Sequence, residues 1–214
     1  MKVLTYVVGP LNTNMYVIYD EASLEALIID PGGDEAIDYI NNVAKDLKLK
    51  YIIATHGHVD HVIGVRKLRK VIKAPFLLHG ADHEVLNGSL EWALMWNINV
   101  DLKEVMPDGD LNGIRELVLG DTLLRVMHTP GHTPGSVTLF IPSLKVAFTG
   151  DTIFKESVGR TDLPGGSWDE LKRSLRRLVL ELDRDYVIYP GHGPSTTLEH
   201  ELINNRYLRR VKAI

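Results

Sequence analysis

The 214-residue chain contains no cysteine, and this absence excludes several kinds of site together. Disulfide bridges, thiolate-bound zinc and a cysteine nucleophile all require a thiol group. A transition-metal site in this chain must therefore use imidazole nitrogen and carboxylate oxygen as its ligands. The nine histidines are for this reason the first residues to consider as functional groups.

Long apolar runs and an excess of basic residues are also absent. No apolar run approaches the roughly 18 residues that a membrane-spanning helix needs, and residues 1–8 lack the apolar core and cleavage site of a signal peptide. Lys and Arg total 24 against 28 Asp and Glu, a formal net charge of -4, whereas nucleic-acid-binding domains usually carry a basic patch. We therefore expect a cytoplasmic protein that has neither a membrane nor a nucleic acid as its partner.

The order of strand-like and helix-like segments predicts the fold. Each half of the chain runs through several short strands, then a helix with one apolar face, then a short strand that ends in a polar loop. Two such halves favour two mixed β-sheets packed face to face with helices on the outer faces, an αββα sandwich of the α/β class. With 44% hydrophobic residues, the chain can bury the core of a single domain over residues 1–214.

Four segments carry more specific expectations. Residues 62–72 predict one amphipathic helix, and residues 198–207 predict a last helix. Residues 167–170 show the capping-box pattern, in which a serine and a glutamate satisfy each other's backbone N–H groups at the start of a helix. Residues 79–113 are the least regular segment, and we interpret them as a lid or insertion with a short helix around residues 90–96.

The densest group of potential ligands lies in residues 55–61, where three histidines and an aspartate follow a short buried strand. A loop that leaves a strand can turn alternate side chains to one side. His56 and His58 can therefore share one divalent metal ion, while Asp60 and His61 reach a second. Side chains packed this densely would repel one another if protonated or unpaired, and metal binding removes that cost. A solvated histidine-rich loop is the alternative, and the strand-to-loop context favours the metal site.

Three later loops each place one further ligand just beyond a strand. His132, Asp151 and His192 each follow a glycine, which lets the backbone turn sharply. Any one of them alone would more often be a solvated or capping residue. Taken together, the seven residues divide into His56, His58 and His132 for a first ion, Asp60, His61 and His192 for a second, and Asp151 as the bridge between them.

These residues and the motifs around them resemble the metallo-β-lactamase superfamily, and within it the short type II glyoxalases, which are hydroxyacylglutathione hydrolases. The resemblance covers nearly the whole chain. It rests on the His-x-His-x-Asp-His run at residues 56–61 and on Asn12-Thr13-Asn14-Met15-Tyr16, Ile29-Asp30-Pro31-Gly32, Gly131-His132-Thr133-Pro134-Gly135-Ser136, Gly150-Asp151-Thr152, Gly159-Arg160-Thr161-Asp162 and Pro190-Gly191-His192-Gly193-Pro194. It implies an αββα fold, two divalent metal ions per chain (zinc first, with iron or manganese as alternatives) and hydrolysis of a small anionic thioester such as lactoylglutathione.

The resemblance also implies roles for individual residues. Two metal ions can lower the pKa of the water between them from about 15.7 to about 7, so that hydroxide attacks the thioester carbonyl. Asp60 and Asp151 are then the catalytic carboxylates that hold this centre. Asp30 is expected to accept a proton from a ligating imidazole, the alternative being a turn residue at a strand end. Arg160 is expected to bind a substrate carboxylate, the alternative being an ion pair with Asp162.

Departures from the family pattern keep other functions open. Longer type II glyoxalases carry a C-terminal helical domain with basic residues that bind glutathione, and the sequence to Ile214 shows none. One alternative is a persulfide dioxygenase with a single iron at His56, His132 and Asp151, and another is a non-catalytic metal-stabilised binding module. A β-lactamase is less favoured, because its second metal site commonly uses a cysteine. The remaining histidines are interpreted as surface or packed residues: His79, His83, His128 and His200.

Overall fold

The structure, a computed structural model, describes the backbone of residues 1–43 and 46–212. Two six-stranded β-sheets lie face to face, and helices cover the outer surface of each. The predicted αββα sandwich of two mixed sheets is confirmed.

The first sheet comes from the N-terminal half of the chain and has the strand order β1-β2-β3-β4-β5-β6. The strands β1 to β3 are antiparallel neighbours, whereas the strands from β3 to β6 are parallel. The strands are Lys2–Val8 (β1), Thr13–Tyr19 (β2), Glu25–Ile29 (β3), Lys48–Ile53 (β4), Phe76–Leu78 (β5) and Gly109–Asp110 (β6). The helices of this half are Ala36–Val43 (α1), Val59–Val62 (α2), Val65–Leu68 (α3), His83–Met95 (α4) and Leu102–Val105 (α5).

The second sheet comes from the C-terminal half and has the order β14-β13-β10-β9-β8-β7. It is mixed because β10 and β13 are parallel while the other neighbours are antiparallel. Its strands are Glu116–Leu119 (β7), Thr122–His128 (β8), Val137–Ile141 (β9), Val146–Gly150 (β10), Val187–Pro190 (β13) and Thr196–Thr197 (β14), and Ile153–Phe154 (β11) pairs with Ser157–Val158 (β12) in a separate hairpin. The helices of this half are Trp168–Glu181 (α6), Leu198–Asn204 (α7) and Arg206–Lys212 (α8).

Apolar side chains form three packed layers, one between the sheets and one under each set of helices. Strand β3 shows how a buried strand supplies two of them. Its Leu27 and Ile29 lie between the sheets, while Ile28 lies under the helices of the first half, because successive side chains of a strand point to opposite faces. A continuous run of apolar residues is therefore what a strand covered on both faces requires.

The loops that carry the candidate ligands leave the same edge of the sandwich. Strand β3 is parallel to β4, and β10 is parallel to β13. Strand β8 runs in the same direction as β10, since both are antiparallel to β9. The carboxyl ends of these five strands therefore bring together the loops that hold Asp30, His56, His132, Asp151 and His192.

The segment of residues 79–113 differs from the sequence-based expectation. It contains a thirteen-residue helix, α4, in place of a short helix around residues 90–96, and its end contributes strand β6 to the first sheet. The aspartate and glycine of β6 have low strand propensity, and tertiary pairing with β5 determines the strand. Residues 79–113 are therefore an integral part of the first sheet and its helices, although their sequence shows no regular pattern.

Two predicted helices are each divided in two. Residues 62–72 form the end of α2 and all of α3, because the N–H of Gly64 donates to the carbonyl of Pro31 at 2.8 Å instead of continuing a helical ladder. The last helix is interrupted at Asn205, whose buried side-chain amide donates to the carbonyl of Ser157 at 2.9 Å. In both places a contact with a distant loop decides the break, and the apolar periodicity carries no information about that contact.

The predicted capping box at residues 167–170 is half formed. The Ser167 hydroxyl accepts the N–H of Glu170 at 3.3 Å, as the pattern indicates. The N–H of Ser167 donates instead to the carbonyl of Gly131 at 2.8 Å, and the Glu170 carboxylate pairs with Arg173. The start of α6 is thereby attached to the loop that carries His132.

No helix within the described ranges combines the length and the apolar character needed to cross a membrane.

The helix α6 offers a test of the packing under the second sheet. Leu175 is fully buried, and Leu180 on the same helix is 78% exposed. We expect Leu175→Ala to lower the free energy of unfolding by about 2–5 kcal/mol, because it leaves a cavity in the core. The matched variant Leu180→Ala should change it by no more than about 0.5 kcal/mol. Urea denaturation of both variants measures the difference, and equal effects would contradict the layer assignment.

Candidate metal centre

Three histidines predicted to share one ion converge on a single point. The Nε2 atoms of His56 and His132 each lie 3.0 Å from Nδ1 of His58. All three side chains are buried. Two nitrogens cannot both be satisfied by hydrogen bonds to the same ring nitrogen, since one imidazole nitrogen carries either one hydrogen or one lone pair. The group is a geometrically suitable binding site for a cation.

The second predicted group also comes together. Nε2 of His61 lies 3.2 Å from Nε2 of His192 and 3.5 Å from Oδ2 of Asp60. Nε2 of His192 lies 3.3 Å from the same Asp60 oxygen. Two ring nitrogens and one carboxylate oxygen thus form a second candidate set beside the first.

Asp151 lies between the two sets. Its Oδ2 is 3.5 Å from Nε2 of His132 in the first group and 3.7 Å from Nε2 of His192 in the second. Its Oδ1 is 3.5 Å from Nε2 of His61. One carboxylate therefore reaches both groups, which is the position that the sequence analysis assigns to it.

Hydrogen bonds on the far side of two rings, and a nearby carboxylate on the far side of a third, indicate which nitrogen faces the site. Nδ1 of His132 lies 2.8 Å from the carbonyl of Arg160, and Nδ1 of His192 lies 3.2 Å from the carbonyl of Leu11. A carbonyl oxygen only accepts, so Nδ1 carries a hydrogen in both rings, and Nε2 is the nitrogen that can offer a lone pair to a cation. Nδ1 of His61 lies 3.0 Å from Oδ2 of Asp30, although this contact is off the ideal hydrogen-bond direction. The position of Asp30 is the one expected for a residue that orients a ligating imidazole.

The electrostatics of the two groups differ. Burial, reinforced by the neighbouring imidazole of His132, lowers the pKa of His58 to about 3, so this ring is neutral at physiological pH. Burial also opposes protonation of His61, but the carboxylates of Asp30, Asp60 and Asp151 outweigh it and raise the pKa of His61 to about 10. The second group therefore attracts positive charge, and a divalent cation would displace the proton from His61.

Burial favours the neutral acid of Asp60, but the imidazoles of His61 and His192 outweigh it and keep the pKa of this carboxyl below its ordinary value. Burial is also the main cause of the low pKa of His56. Both side chains are thus in the protonation state that binds a metal ion, an ionised carboxylate and a neutral imidazole.

Three independent observations show that the seven candidate ligands fit metal ions. Ligand atoms about 2.0–2.1 Å from a tetrahedral zinc lie about 3.3 Å from each other, and the separations within the groups are 3.0–3.5 Å. Oδ1 of Asp151 is buried without a hydrogen-bond partner among the described residues. A Cβ atom at Gly191 would overlap that oxygen and lie 2.7 Å from Cε1 of His61, so only glycine leaves the space beside these ligands.

The N-terminal strand β2 holds the loop of His192 in place. The side-chain amide of Asn14 donates to the carbonyls of Pro190 at 3.0 Å and Gly193 at 2.8 Å, and the Tyr16 hydroxyl donates to Pro190 at 2.6 Å. These bonds explain a motif, residues 12–16, that the sequence analysis notes without a role. They connect strand β2 to the last ligand loop across more than 170 residues.

Asp82 is a functional residue that the sequence analysis misses. It is fully buried, and its Oδ2 accepts the N–H of Gly57 at 2.8 Å and the hydroxyl of Thr133 at 2.7 Å. Its Oδ1 accepts the N–H of Gly135 at 2.5 Å. Burial raises the pKa of Asp82, and these hydrogen bonds oppose that rise. One carboxylate thus joins the loop of His56 and His58 to the loop of His132, from within a segment whose sequence shows no motif.

The structure places Arg160 at the edge of the site in two roles. Its carbonyl oxygen orients His132. Its exposed guanidinium makes a bidentate pair with Asp162, with both N–O distances 2.7 Å, and this pair lowers the pKa of Asp162 to about 2. The ion pair considered as an alternative is therefore formed, and substrate binding by Arg160 stays a prediction.

The other four histidines lie outside both groups. His79 is buried and its ring stacks on that of His128, with ring centroids 4.2 Å apart. His200 pairs with Glu156 at 2.9 Å, and His83 is exposed at the start of α4. Their positions agree with the interpretation as surface or packed residues.

An αββα sandwich with two joined histidine–aspartate groups at one edge defines a class of metal-binding proteins. A model of the metallo-β-lactamase superfamily matches residues 8–192, and the chain belongs to this superfamily of metal-dependent hydrolases.

One relative has a more specific description. The hydroxyacylglutathione hydrolase GloC of Haemophilus influenzae is 37% identical to the chain over 199 residues, which cover 91% of the chain and 92% of that relative. The chain thus aligns with this relative over nearly the full length of both.

Two solved structures are similar along almost their whole length. The structure of the BLEG-1 B3 metallo-β-lactamase aligns with a TM-score of 0.85 and 34% identity, and the alignment covers 97% of this chain and 99% of that protein's chain. The structure of TTHA1623 in a di-iron-bound form aligns with a TM-score of 0.82 and 32% identity, and the alignment covers 96% of this chain and 100% of that protein's chain. Both agree with the fold described above.

Metal content tests the division into two groups. We expect the zinc-reconstituted chain to hold about two ions, and His58→Ala or His192→Ala to hold about one, because each variant removes a ligand from one three-residue group. Elemental analysis after removal of free metal measures the content. His200→Ala is the matched control and should keep about two ions. Full loading of both ligand variants would show that the groups do not bind as described.

Replacement of Asp82 tests its role as a positioning residue. Asp82→Asn keeps the shape of the side chain but replaces one acceptor oxygen with an NH2 group, which then faces one of the three hydrogen-bond donors. We expect metal affinity to fall by about 10–100-fold, because the ligand loops lose their alignment. Competition with a chromogenic chelator measures this affinity. Asp101→Asn, at the exposed start of α5, should leave it unchanged, and an equal loss in both variants would refute the role.

Proposed function

We propose that the chain hydrolyses the thioester bond of small anionic 2-hydroxyacyl thioesters, such as lactoylglutathione, in the cytoplasm. The observation that carries this proposal is the convergence of five imidazoles and two carboxylates in two groups that share Asp151. The similarity to a hydroxyacylglutathione hydrolase, 37% identical over 92% of its length, supports the choice of a thioester. Two divalent ions, zinc first and iron as the alternative suggested by a di-iron-bound structure 32% identical, are the cofactors.

The residues present have defined tasks in this proposal. When two divalent ions are bound by the seven ligands, they would supply acidified water and polarise the substrate carbonyl. Asp60 and Asp151 hold the centre, while Asp30 lies against Nδ1 of His61 and leaves Nε2 of that ring directed at it. In the overall reaction a C–O bond from water forms and the C–S bond breaks. The thiol leaves readily, because its pKa is about 8.5.

Charge around the site suits an anionic substrate. Arg160 is exposed beside the His132 loop, and its bidentate contact with Asp162 is the geometry by which a guanidinium binds any carboxylate. In the proposal a carboxylate of the substrate takes the place of Asp162.

Hydrolysis of a β-lactam is a second candidate, favoured by one observation. A structure described as a B3 metallo-β-lactamase is 34% identical to the chain over nearly its full length. The absence of cysteine therefore weighs less against this activity than the sequence alone suggests. An amide nitrogen is a poorer leaving group than a thiolate, which keeps the thioester as the first candidate.

A substrate panel tests the proposal. The metal-loaded full-length chain is incubated with lactoylglutathione, other 2-hydroxyacyl thioesters, a chromogenic cephalosporin and a persulfide, with thiol release, ring opening and oxygen uptake measured separately. We expect thiol release with the hydroxyacyl thioesters. Asp151→Asn should lower kcat/KM at least about 100-fold, since it removes the ligand common to both groups.

The matched control is Asp169→Asn, an exposed carboxylate of α6 that pairs with Lys172; it should keep full activity. Ring opening alone would establish the β-lactam alternative, and oxygen uptake with a persulfide would establish a dioxygenase. Absence of all three activities in fully loaded protein would support a non-catalytic module.

A further inference from the structure

A cavity of about 310 Å³ opens beside His58. One wall is the side of α4 that carries Val85, Gly88 and Trp92, and the opposite wall is formed by Pro134 and Pro164 from the loops next to His132 and Arg160. The walls are mostly apolar. Ligand pockets of this size begin at about 300 Å³, so the cavity can accommodate a small group but not a large ligand.

The cavity is continuous with the candidate metal centre through one side chain. His58 lines the cavity, and its ring lies 5.2 Å from that of Trp92, measured between centroids. The other edge of the same ring places Nδ1 among the ligands of the first group. An acyl group in the cavity would therefore lie next to the bond that is broken at the metal centre in the proposed reaction.

The hydrogen-bonding groups of the cavity wall are few. The hydroxyl of Ser89 is directed to the carbonyls of Leu86 at 3.0 Å and Gly57 at 3.2 Å. Glu84, exposed at the start of α4, is the one carboxylate among the lining residues. An apolar group loses no hydrogen bonds when it enters such a space, whereas an anionic thiol carrier would be repelled by the carboxylate of Glu84.

Gly88 lines the cavity at an exposed position of α4. It lies within α4, and no heavy atom lies within 4 Å of the position that a Cβ atom would occupy. Glycine inside a helix lowers its stability relative to alanine, and no close backbone contact here requires glycine. Because Gly88 lines the cavity, a large side chain at this position would occupy part of its opening.

We propose that this cavity binds the apolar part of the substrate's acyl group, with Gly88 as the position at its opening that leaves room for that group. The inference rests on the proposed hydrolysis of an acyl substrate. The substrate class is thereby narrowed to thioesters with a short aliphatic or aromatic acyl chain.

The experiment uses thioesters of one thiol with acyl chains of increasing length and the metal-loaded full-length chain. In the unsubstituted chain kcat/KM should rise about fourfold for each added methylene until the cavity is full. Gly88→Leu should abolish this rise and lower kcat/KM for the longer chains at least about tenfold. Leucine is a good helix former, so we expect the variant to fold; its circular dichroism and metal content verify this.

Asn87→Leu is the matched control, since it places the same side chain at a neighbouring exposed position of α4 that does not line the cavity. It should keep the dependence on chain length. An equal loss in both leucine variants, or a Gly88→Leu effect independent of acyl length, would overturn the proposal.

A binding measurement separates this inference from the thioesterase proposal. Calorimetric titration with straight-chain 2-hydroxycarboxylates, which are products of the proposed reaction, should give affinities that rise with chain length in the unsubstituted chain and not in Gly88→Leu. If that trend appears without thioester hydrolysis, the thioesterase proposal fails while apolar binding in the cavity is supported. If thioesters are hydrolysed but neither kcat/KM nor affinity depends on acyl length, the cavity proposal fails alone.

Discussion

Five imidazoles and two carboxylates lie within contact of one another at one edge of the sandwich, most of them buried. Without a cation, the three imidazoles of the first group direct lone pairs at one another and the carboxylates of the second group hold a proton on His61, and burial removes most of the water that would screen these charges. The arrangement becomes favourable when cations lie between the groups. The rest of the structure can be understood as the framework that holds these side chains at 3.0–3.7 Å.

The framework acts through loops rather than through the sheets alone. Each ligand loop leaves a strand end, and a buried polar residue then joins it to another loop. Asp82 joins the loops of the first group, Asn14 holds the loop of His192, and Asp30 at the end of β3 accepts hydrogen bonds from Thr55, which precedes His56. Ligands from distant parts of the chain thus depend on a few hydrogen bonds in a low-dielectric interior, where each bond is strong and each loss is costly.

The sequence predicts the αββα layers because apolar runs bounded by turn residues are local signals. It also predicts which seven side chains approach one another, since each follows a strand and the motifs resemble a known family. It does not predict Asp82, whose role comes from contacts with Gly57 and Thr133, 25 and 51 residues away. The breaks at Gly64 and Asn205 are missed for the same reason, because a tertiary hydrogen bond decides each of them.

Diffraction from crystals of the metal-loaded chain, recorded at the absorption edge of the bound metal, tests the central claim most directly. The account predicts two anomalous peaks about 3.5–4 Å apart. One peak should lie about 2.0–2.2 Å from ring nitrogens of His56, His58 and His132, and the other at the same distance from His61, His192 and Asp60. Peaks confined to other surfaces, or these side chains directed away from each other in the loaded crystal, would contradict it.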